Sequence, residues 1–423
     1  MKKYLFIFCF FSPFGLLSQT VDKEALDTLI TWAKKTHSSA LVVYQNDKLI
    51  LNQCFDSVYI PLDANSATKS FVNLGIGLLI TNGKLNSIDT PVYRFYPEWN
   101  QGLKKKITIR HLLNHTSGLQ STARADDEIY LSPNYVQLAL SAEISDTAGS
   151  RFFYNNKAVN LLAGIIQKAS GMRMDKYINQ NLFAPLGIKN FNWLSDISIY
   201  KTKKEFEPTL LKKGNSIGMA ELLIRADDMA KVGLLVQHKG YWKGKQIINE
   251  SWFDESMKPG QKFNGTCGLL WWLVYDYTSS FITFDNSNIQ KIQEAGLNDT
   301  TLINDLKKII GRYNNNDDFL MALDVLPSVK KIGGSDEFIK LYHEDYLYSS
   351  DANCHDNIHH DIYTFVKEKA TRIGFAAKGY LGQLITIFPD KKLVVVRTIS
   401  HKNFKQKSDN FFEFDNLAYQ LVK

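Results

Sequence analysis

Apolar positions along the chain fall into a few repeating patterns, and each predicts an element. Ala25, Leu26, Leu29, Ile30 and Ala33 recur at helical spacing over residues 21–36, with Asp22 and Glu24 in the first turn. That spacing predicts an amphipathic surface helix. Ala40 to Tyr44 and Lys48 to Leu51 are two short apolar-rich runs separated by Gln45-Asn46-Asp47, which predicts a β-hairpin. The run Phe71, Val72, Leu74, Ile76, Leu78, Leu79, Ile80 is apolar on most sides and ends at Gly83. A helix greasy all round cannot sit at a surface, so this one is predicted to be buried.

Further along, Thr108 can cap a short helix carrying Leu112 and Leu113, with Gly118 beyond its end. Val159, Leu162, Ile165, Ile166 and Ala169 predict a helix that stops at Gly171. Residues 221–237 read as one more helical stretch, ending near Gly240. Residues 267–275, rich in Trp and Leu, read as a strand with its aromatics in the core. Residues 375–388 and 393–398, about the turn Pro389-Asp390-Lys391-Lys392, predict a second hairpin. A helix over 410–422 closes the chain. Between about 279 and 370 the texture turns Asn/Asp-rich, with short helices predicted over 287–295, 299–313 and 319–326.

Both chain ends are therefore helix plus hairpin, with helices between them. The economical assembly is α+β: an antiparallel sheet from about 20–62 and 370–423, a helical region over about 63–260, and an insert over about 279–370. The insert is a candidate lid or specificity wall over a cleft.

Composition narrows the picture. The 423 residues are 44% hydrophobic and 22% charged, an ordinary globular balance. The net charge of +7 falls to +5 once Lys2 and Lys3 are set aside, with no long basic block, so nucleic acid is not implied. Residues 1–18 combine a basic start, an apolar run broken by Pro13 and a small residue at the end. They read as the signal peptide of an exported bacterial protein, periplasmic or secreted, with an uncleaved anchor as the alternative. No membrane span beyond that leader is expected. Cys54, Cys267 and Cys354 are odd in number and widely spaced, so no disulfide framework or zinc pattern follows, and one disulfide with a leftover thiol stays open.

The candidate chemistry sits at the start of the buried helix. Ser66 and Lys69 are three residues apart and so share one helical face. A desolvated lysine is disfavoured in its charged form and can act as a base beside a serine nucleophile. The same spacing arises by chance in many chains, and Ser is an ordinary cap. Tyr154 and Asn156 precede the helix of Val159, where polar groups can face a cleft and a phenol can relay a proton. The blander alternative is a packing tyrosine and an N-cap asparagine. His111 and His115 lie one turn apart, but no third ligand is evident, and a histidine near a helix end more often bonds backbone. The cluster Cys354 to Asp361 holds metal-ligand types at a spacing that fits no site pattern. No metal or other cofactor is expected.

Ser66-Ala67-Thr68-Lys69, Ile107 to Leu119, Tyr154-Asn155-Asn156, Gly214 to Ala230 and Gly379-Tyr380-Leu381-Gly382-Gln383 occur in an order that resembles the serine β-lactamase-related family. That family includes class C β-lactamases, DD-peptidases, class C-like esterases and 6-aminohexanoate-oligomer hydrolases. The resemblance spans nearly all of the chain after the leader except 279–370. It implies a β-lactamase/penicillin-binding-protein-like fold and an acyl-enzyme mechanism. By that analogy Ser66 is acylated, and Lys69 accepts its proton or orients the site. Tyr154 relays the proton or is the alternative base, and Asn156 bonds the substrate amide or Lys69. The backbone N–H groups of Ser66 and Tyr380 form the oxyanion hole.

The third family motif falls on Ala377-Lys378-Gly379, where the first residue is normally cationic or aromatic. Alanine there removes the partner of a substrate carboxylate. Lys378 should point to the opposite face of its strand. The expectation is thus an exported serine hydrolase acting on a small ester, amide or peptide rather than an efficient β-lactamase. The alternative is a catalytically silent member serving as a binding or envelope structural protein.

Overall fold

A computed structural model describes residues 20–121, 125–193, 217–294, 296–313, 316–342, 364–404 and 411–423. The leader and the Cys354 to Asp361 cluster lie outside them.

The N-terminal helix α1 (Lys23–Lys35) begins where the Asp22 carboxylate accepts the Ala25 N–H at 3.0 Å, and Lys34 and Lys35 oppose the helix dipole at its end. Its buried stripe is Leu29, Trp32 and Ala33. The hairpin β1 (Ala40–Gln45) and β2 (Lys48–Cys54) follows, and then the short β3 (Leu62–Asp63). A 3-10 turn over Asn65–Ala67 feeds helix α2 (Thr68–Thr81), buried from Thr68 through Leu79. Ser66 therefore lies in the tighter turn just before α2.

The helices α3 (Ile109–Leu113), α4 (Ala125–Leu131) and α5 (Tyr135–Ser141) pack on α6 (Asn156–Ser170), and α6 packs on α2. The series continues with α7 (Met174–Ile178), α8 (Ala184–Leu186) and strand β4 (Phe191–Trp193). The sequence 221–237 does not form a single helix. It is strand β5 (Leu222–Ile224) and then α9 (Ala226–Gln237), because Glu221 takes a left-handed φ of +74° and Leu222 to Ile224 pair with β3 and β4. A two-stranded β6 (Tyr241–Trp242) and β7 (Lys245–Gln246) leads into α10 (Glu250–Ser256).

Strand β8 (Trp272–Phe284) starts five residues later than the pattern from Cys267 predicts and runs past 279. Its partner β10 (Thr364–Gly379) begins before 370. The two strands pair over their length and carry the sheet into the predicted insert. There lie α11 (Asn286–Glu294), α12 (Thr300–Lys307), β9 (Gly311–Tyr313), α13 (Asn316–Asp324), α14 (Pro327–Ile332) and α15 (Ser335–Tyr342). The helix expected over 299–313 stops early because Gly311 to Tyr313 pair with β8 instead. Phe284, Phe319, Leu323 and Phe338 centre an apolar core belonging to this region. Beyond β10, the stretch 375–388 breaks at Tyr380 to Gly382, so that β11 (Gln383–Phe388) returns against β10. Then β12 (Leu393–Thr398) and the closing helix α16 (Phe411–Tyr419) complete the chain.

The main sheet has seven antiparallel strands in the order β2-β1-β12-β11-β10-β8-β9. Helices cover both faces. Val42, Ala377, Ile385, Val394 and Val396 face the large core of α2 and α9. Leu41, Val43, Ala376, Leu384, Val395 and Phe388 face α1 and α16. Burial on both sides explains why β11 and β12 read as continuous apolar runs rather than as alternation. Each such side chain contributes about 1.5–3 kcal/mol on full burial.

Candidate active site

Ser66 is presented by close packing between the turn before α2 and the end of β10. A Cβ placed on Gly379 would meet the Ala64 carbonyl oxygen at 2.1 Å and the Ala67 nitrogen at 3.0 Å. Only glycine permits that approach. The Asn65 side-chain amide donates to the Tyr380 carbonyl at 3.1 Å, a second tie between the same two segments. The Ser66 turn and the Gly379-Tyr380 peptide are thus held together.

Lys69, 3% exposed, rises from the first turn of α2. Its ammonium donates to Ser66 Oγ at 2.8 Å and to the Met219 carbonyl at 2.9 Å. Met219 is itself placed by α6, where the buried Asn160 Oδ1 accepts the N–H groups of Gly218 (2.8 Å) and Met219 (3.3 Å). The chain of contacts Asn160, Met219, Lys69, Ser66 joins three segments far apart in sequence.

Tyr154 lies in the loop before α6, its ring 4.9 Å from Lys69 Nζ. On one side it stacks on His115 at 4.4 Å between ring centroids, and on the other it faces Trp272 at 6.4 Å with an interplanar angle of 12°. His115 Nδ1 accepts the Asn155 N–H at 3.2 Å. Burial, and then the nearby Lys69, push its pKa down to about 3, so the imidazole is neutral. His111 instead completes a capping box with Thr108. Both histidines are occupied within the protein, and no cluster of three or more metal-ligating side chains occurs among the described residues.

A narrow cleft opens beside these groups, bordered by Ser66, Lys69, His115, Tyr154, Trp272 and Lys378. Cys267 also borders it, its thiol pushed up to about 12 by burial and so held neutral. Asn156 is not among the lining residues. The helix cap is its neighbour Asn155, whose Oδ1 accepts the Ala158 N–H at 3.0 Å. Asn156 is the first helical residue, and its amide nitrogen donates to Asp126 at 2.7 Å. The geometry therefore brings Ser66, Lys69 and Tyr154 together and turns the Asn156 amide toward α4.

On β10, Ala377 pairs with Ile385 and lies fully buried on the α2 face. Lys378 points to the other face, where its ammonium meets Asp415 of α16 at 2.7 Å, and Asp415 also accepts the Thr386 hydroxyl at 2.8 Å. The strand register is unbulged here, so Lys378 does not stand in for a cation at 377. Sequence reasoning missed the roles of Met219, which acts through its main-chain carbonyl, and Asn160, whose side-chain oxygen places it. It also assigned Trp272 to the core alone.

This fold, with a serine and lysine at the start of a buried helix beside a tyrosine, is of the β-lactamase and penicillin-binding-protein type. The chain belongs to the beta-lactamase family, whose model matches residues 32–282, and so to the serine hydrolase superfamily of β-lactamases and penicillin-binding proteins. It is 26% identical over 203 residues to Protein flp of Staphylococcus aureus, covering 43% of this chain and 40% of that protein. It is 37% identical over 132 residues to penicillin-binding protein 4* of Bacillus subtilis, covering 29% and 28% of the respective chains. These aligned regions span well under half of those relatives' lengths. A class C β-lactamase solved with cefoxitin superposes with a TM-score of 0.55 at 16% identity, covering 94% of this chain and 97% of that one. At that identity the likeness is one of fold. No helix of the described residues is long and apolar enough to cross a membrane.

Proposed function

We propose that this protein is a serine hydrolase that forms an acyl-enzyme on Ser66 and acts on an ester, amide or peptide lacking the carboxylate of a β-lactam. The observation that carries the reading is the Lys69 Nζ to Ser66 Oγ contact of 2.8 Å on a lysine that is 3% exposed. Once its ammonium has given a proton to solvent, Lys69 can keep one N–H on the Met219 carbonyl and turn its lone pair to the Ser66 hydroxyl. Ser66 Oγ then attacks the acyl carbon while its proton passes to Lys69, directly or through Tyr154. The carbonyl electron pair collects on oxygen, where the main-chain N–H groups of Ser66 and Tyr380 are the natural donors. Collapse expels the alcohol or amine, which takes the proton from Lys69. Water repeats the sequence to release the acid.

The preference for an uncharged substrate rests on Ala377, whose side chain offers no charge, and on Lys378, which is committed to Asp415. The second reading, a silent binding or envelope protein, draws on Asn156, whose amide nitrogen goes to Asp126. Export through the leader over 1–18, with a periplasmic or secreted site of action, is part of the same proposal. Turnover of p-nitrophenyl acetate and of a chromogenic cephalosporin, each beside Ser66→Ala, tests the reading. Ester cleavage that Ser66→Ala abolishes, with slow or no cephalosporin cleavage, is expected. Ester turnover equal in the two proteins would overturn it.

A further inference from the structure

Behind Ser66 and Lys69 lies a pair of buried carboxyls that the proposed reaction does not use. Asp63, at the end of β3, accepts the Asn65 N–H at 2.8 Å and the Glu221 N–H at 3.1 Å. It therefore ties the turn that presents Ser66 to the segment that presents the Met219 carbonyl. Glu221 is 4% exposed, and its Oε2 is buried with no hydrogen-bond partner among the described residues. Its φ is +74°, in the left-handed region that favours glycine. A glutamate in such a backbone conformation, with its carboxyl pressed into the protein interior, is costly on two counts. Nothing in the pairing of β5 requires a carboxyl there.

We propose that Glu221 is a positioning residue for Lys69. Its carboxyl, packed in next to Asp63, keeps the Asn65–Ala67 turn and the Gly218 to Leu222 segment seated on one another, so that the Met219 carbonyl holds Lys69 on Ser66. The inference rests on the acyl-enzyme reading. The charged and titratable groups that act on the pair are Lys69 and His401 toward Asp63, and Tyr135 toward Glu221. Burial raises the Asp63 carboxyl, with its two N–H donors and Lys69 acting against that rise, while burial and then Asp63 push Glu221 up to about 8. Glu221 is then protonated at neutral pH. Raising the pH through about 8 places a negative charge on a buried carboxyl whose Oε2 has no hydrogen-bond partner among the described residues. The two segments are driven apart, and the Met219 carbonyl is drawn off Lys69.

The sign for stability follows from linkage. A carboxyl whose pKa is raised on folding binds more proton when folded than when unfolded, so the folded state loses stability as pH rises from the ordinary glutamate range to about 8.

The test measures kcat/KM on p-nitrophenyl acetate and the thermal midpoint from pH 6 to 9.5 for wild type, Glu221→Gln and Asp63→Asn. The inference expects wild-type kcat/KM to fall about tenfold per pH unit above about 8, and Glu221→Gln to lose that limb. Asp63→Asn should shift the limb to lower pH, because the charge that raises Glu221 is gone. The wild-type midpoint should drop more over this range than that of Glu221→Gln. An alkaline limb unchanged in Glu221→Gln, or parallel midpoints, would overturn the inference. Absence of wild-type turnover at every pH would instead overturn the acyl-enzyme reading, and the midpoints would still decide whether Glu221 ionises in place.

Discussion

Two helical regions pack on the main sheet, one against Ile282 and Phe284 of β8 and the other, around α2, against Ala377 of β10, and they are built differently. In the 286–342 region the core is apolar, and its buried polar groups cap helices. Asp305 accepts the N–H and hydroxyl of Ser328 where α14 begins, and Asp324 accepts the Ser335 N–H at the start of α15. Around α2 the buried polar groups converge from distant segments. Lys69, Ser70, Asn73, His115 and Asn160 all lie inside, and their side-chain partners are 40 to 200 residues away where they are not on the same turn. Burying polar groups that do not cap anything is expensive unless every one finds a partner. A fold that does so at one place, while a neighbouring region of similar size does not, has concentrated its chemistry there.

The sharpest break in that contrast comes from Lys69→Met, which keeps length and packing but removes the amine. Ester turnover should fall about 10²–10⁴-fold with the thermal midpoint only modestly lowered, because Met fills the same space and the chief buried acceptor that loses its donor is the Met219 carbonyl. A variant that keeps most of its turnover would show that the lysine is structural.

Asn73→Leu comes next. Asn73 Oδ1 accepts the indole N–H groups of both Trp252 and Trp271 at 3.1 Å, while its amide donates to the Leu269 carbonyl and to Ser256 Oγ. Leucine strands all four partners in the core, at a cost of about 2–5 kcal/mol. Denaturant unfolding measures it, and a change below about 1 kcal/mol would mean that the α2 core tolerates unmet polar groups after all.

Phe319→Ala probes the other region. Phe319 is fully buried against Phe284 and Tyr313. Its truncation should cost about 3–5 kcal/mol, read as faster amide hydrogen exchange confined to 286–342. Ester turnover should be unchanged, since no residue of that core touches Ser66. Loss of turnover in step with exchange would mean that the two regions fold as one.

The last effect is the most gradual, a slope. His115 is held neutral down to about pH 3, well below an ordinary histidine. Between those two values the unfolded chain binds the proton and the folded one does not, so stability falls as the pH drops from about 6.5 toward 3. The limiting slope is about 1.4 kcal/mol per pH unit. His115→Gln should flatten it, and an identical acid profile would place the titrating group elsewhere.

Much of this was legible from residue order. The apolar run after Lys69 gave a buried helix, and the alternation rule gave the outward turn of Lys378. Thr108 announced the cap of α3. What could not be read were consequences of long-range contact. Residues 221–224 have helix-compatible side chains, but pairing with β3 and β4 overrides that preference and the positive φ of Glu221 sets the break. Gly311 to Tyr313 follow a helix and join β8 for the same reason. Asn155 and Asn156 are equally good caps on paper, and only the position of Asp126 decides which one faces it. Met219 serves the site through its carbonyl, a group every residue has.

The most direct test of the central claim is the intact mass of the purified protein after a reactive fluorophosphonate, taken beside Ser66→Ala. The account predicts one adduct on the wild type and none on the variant, since only a serine held by Lys69 at 2.8 Å is activated. The same adduct on both proteins, or none on either, would contradict it.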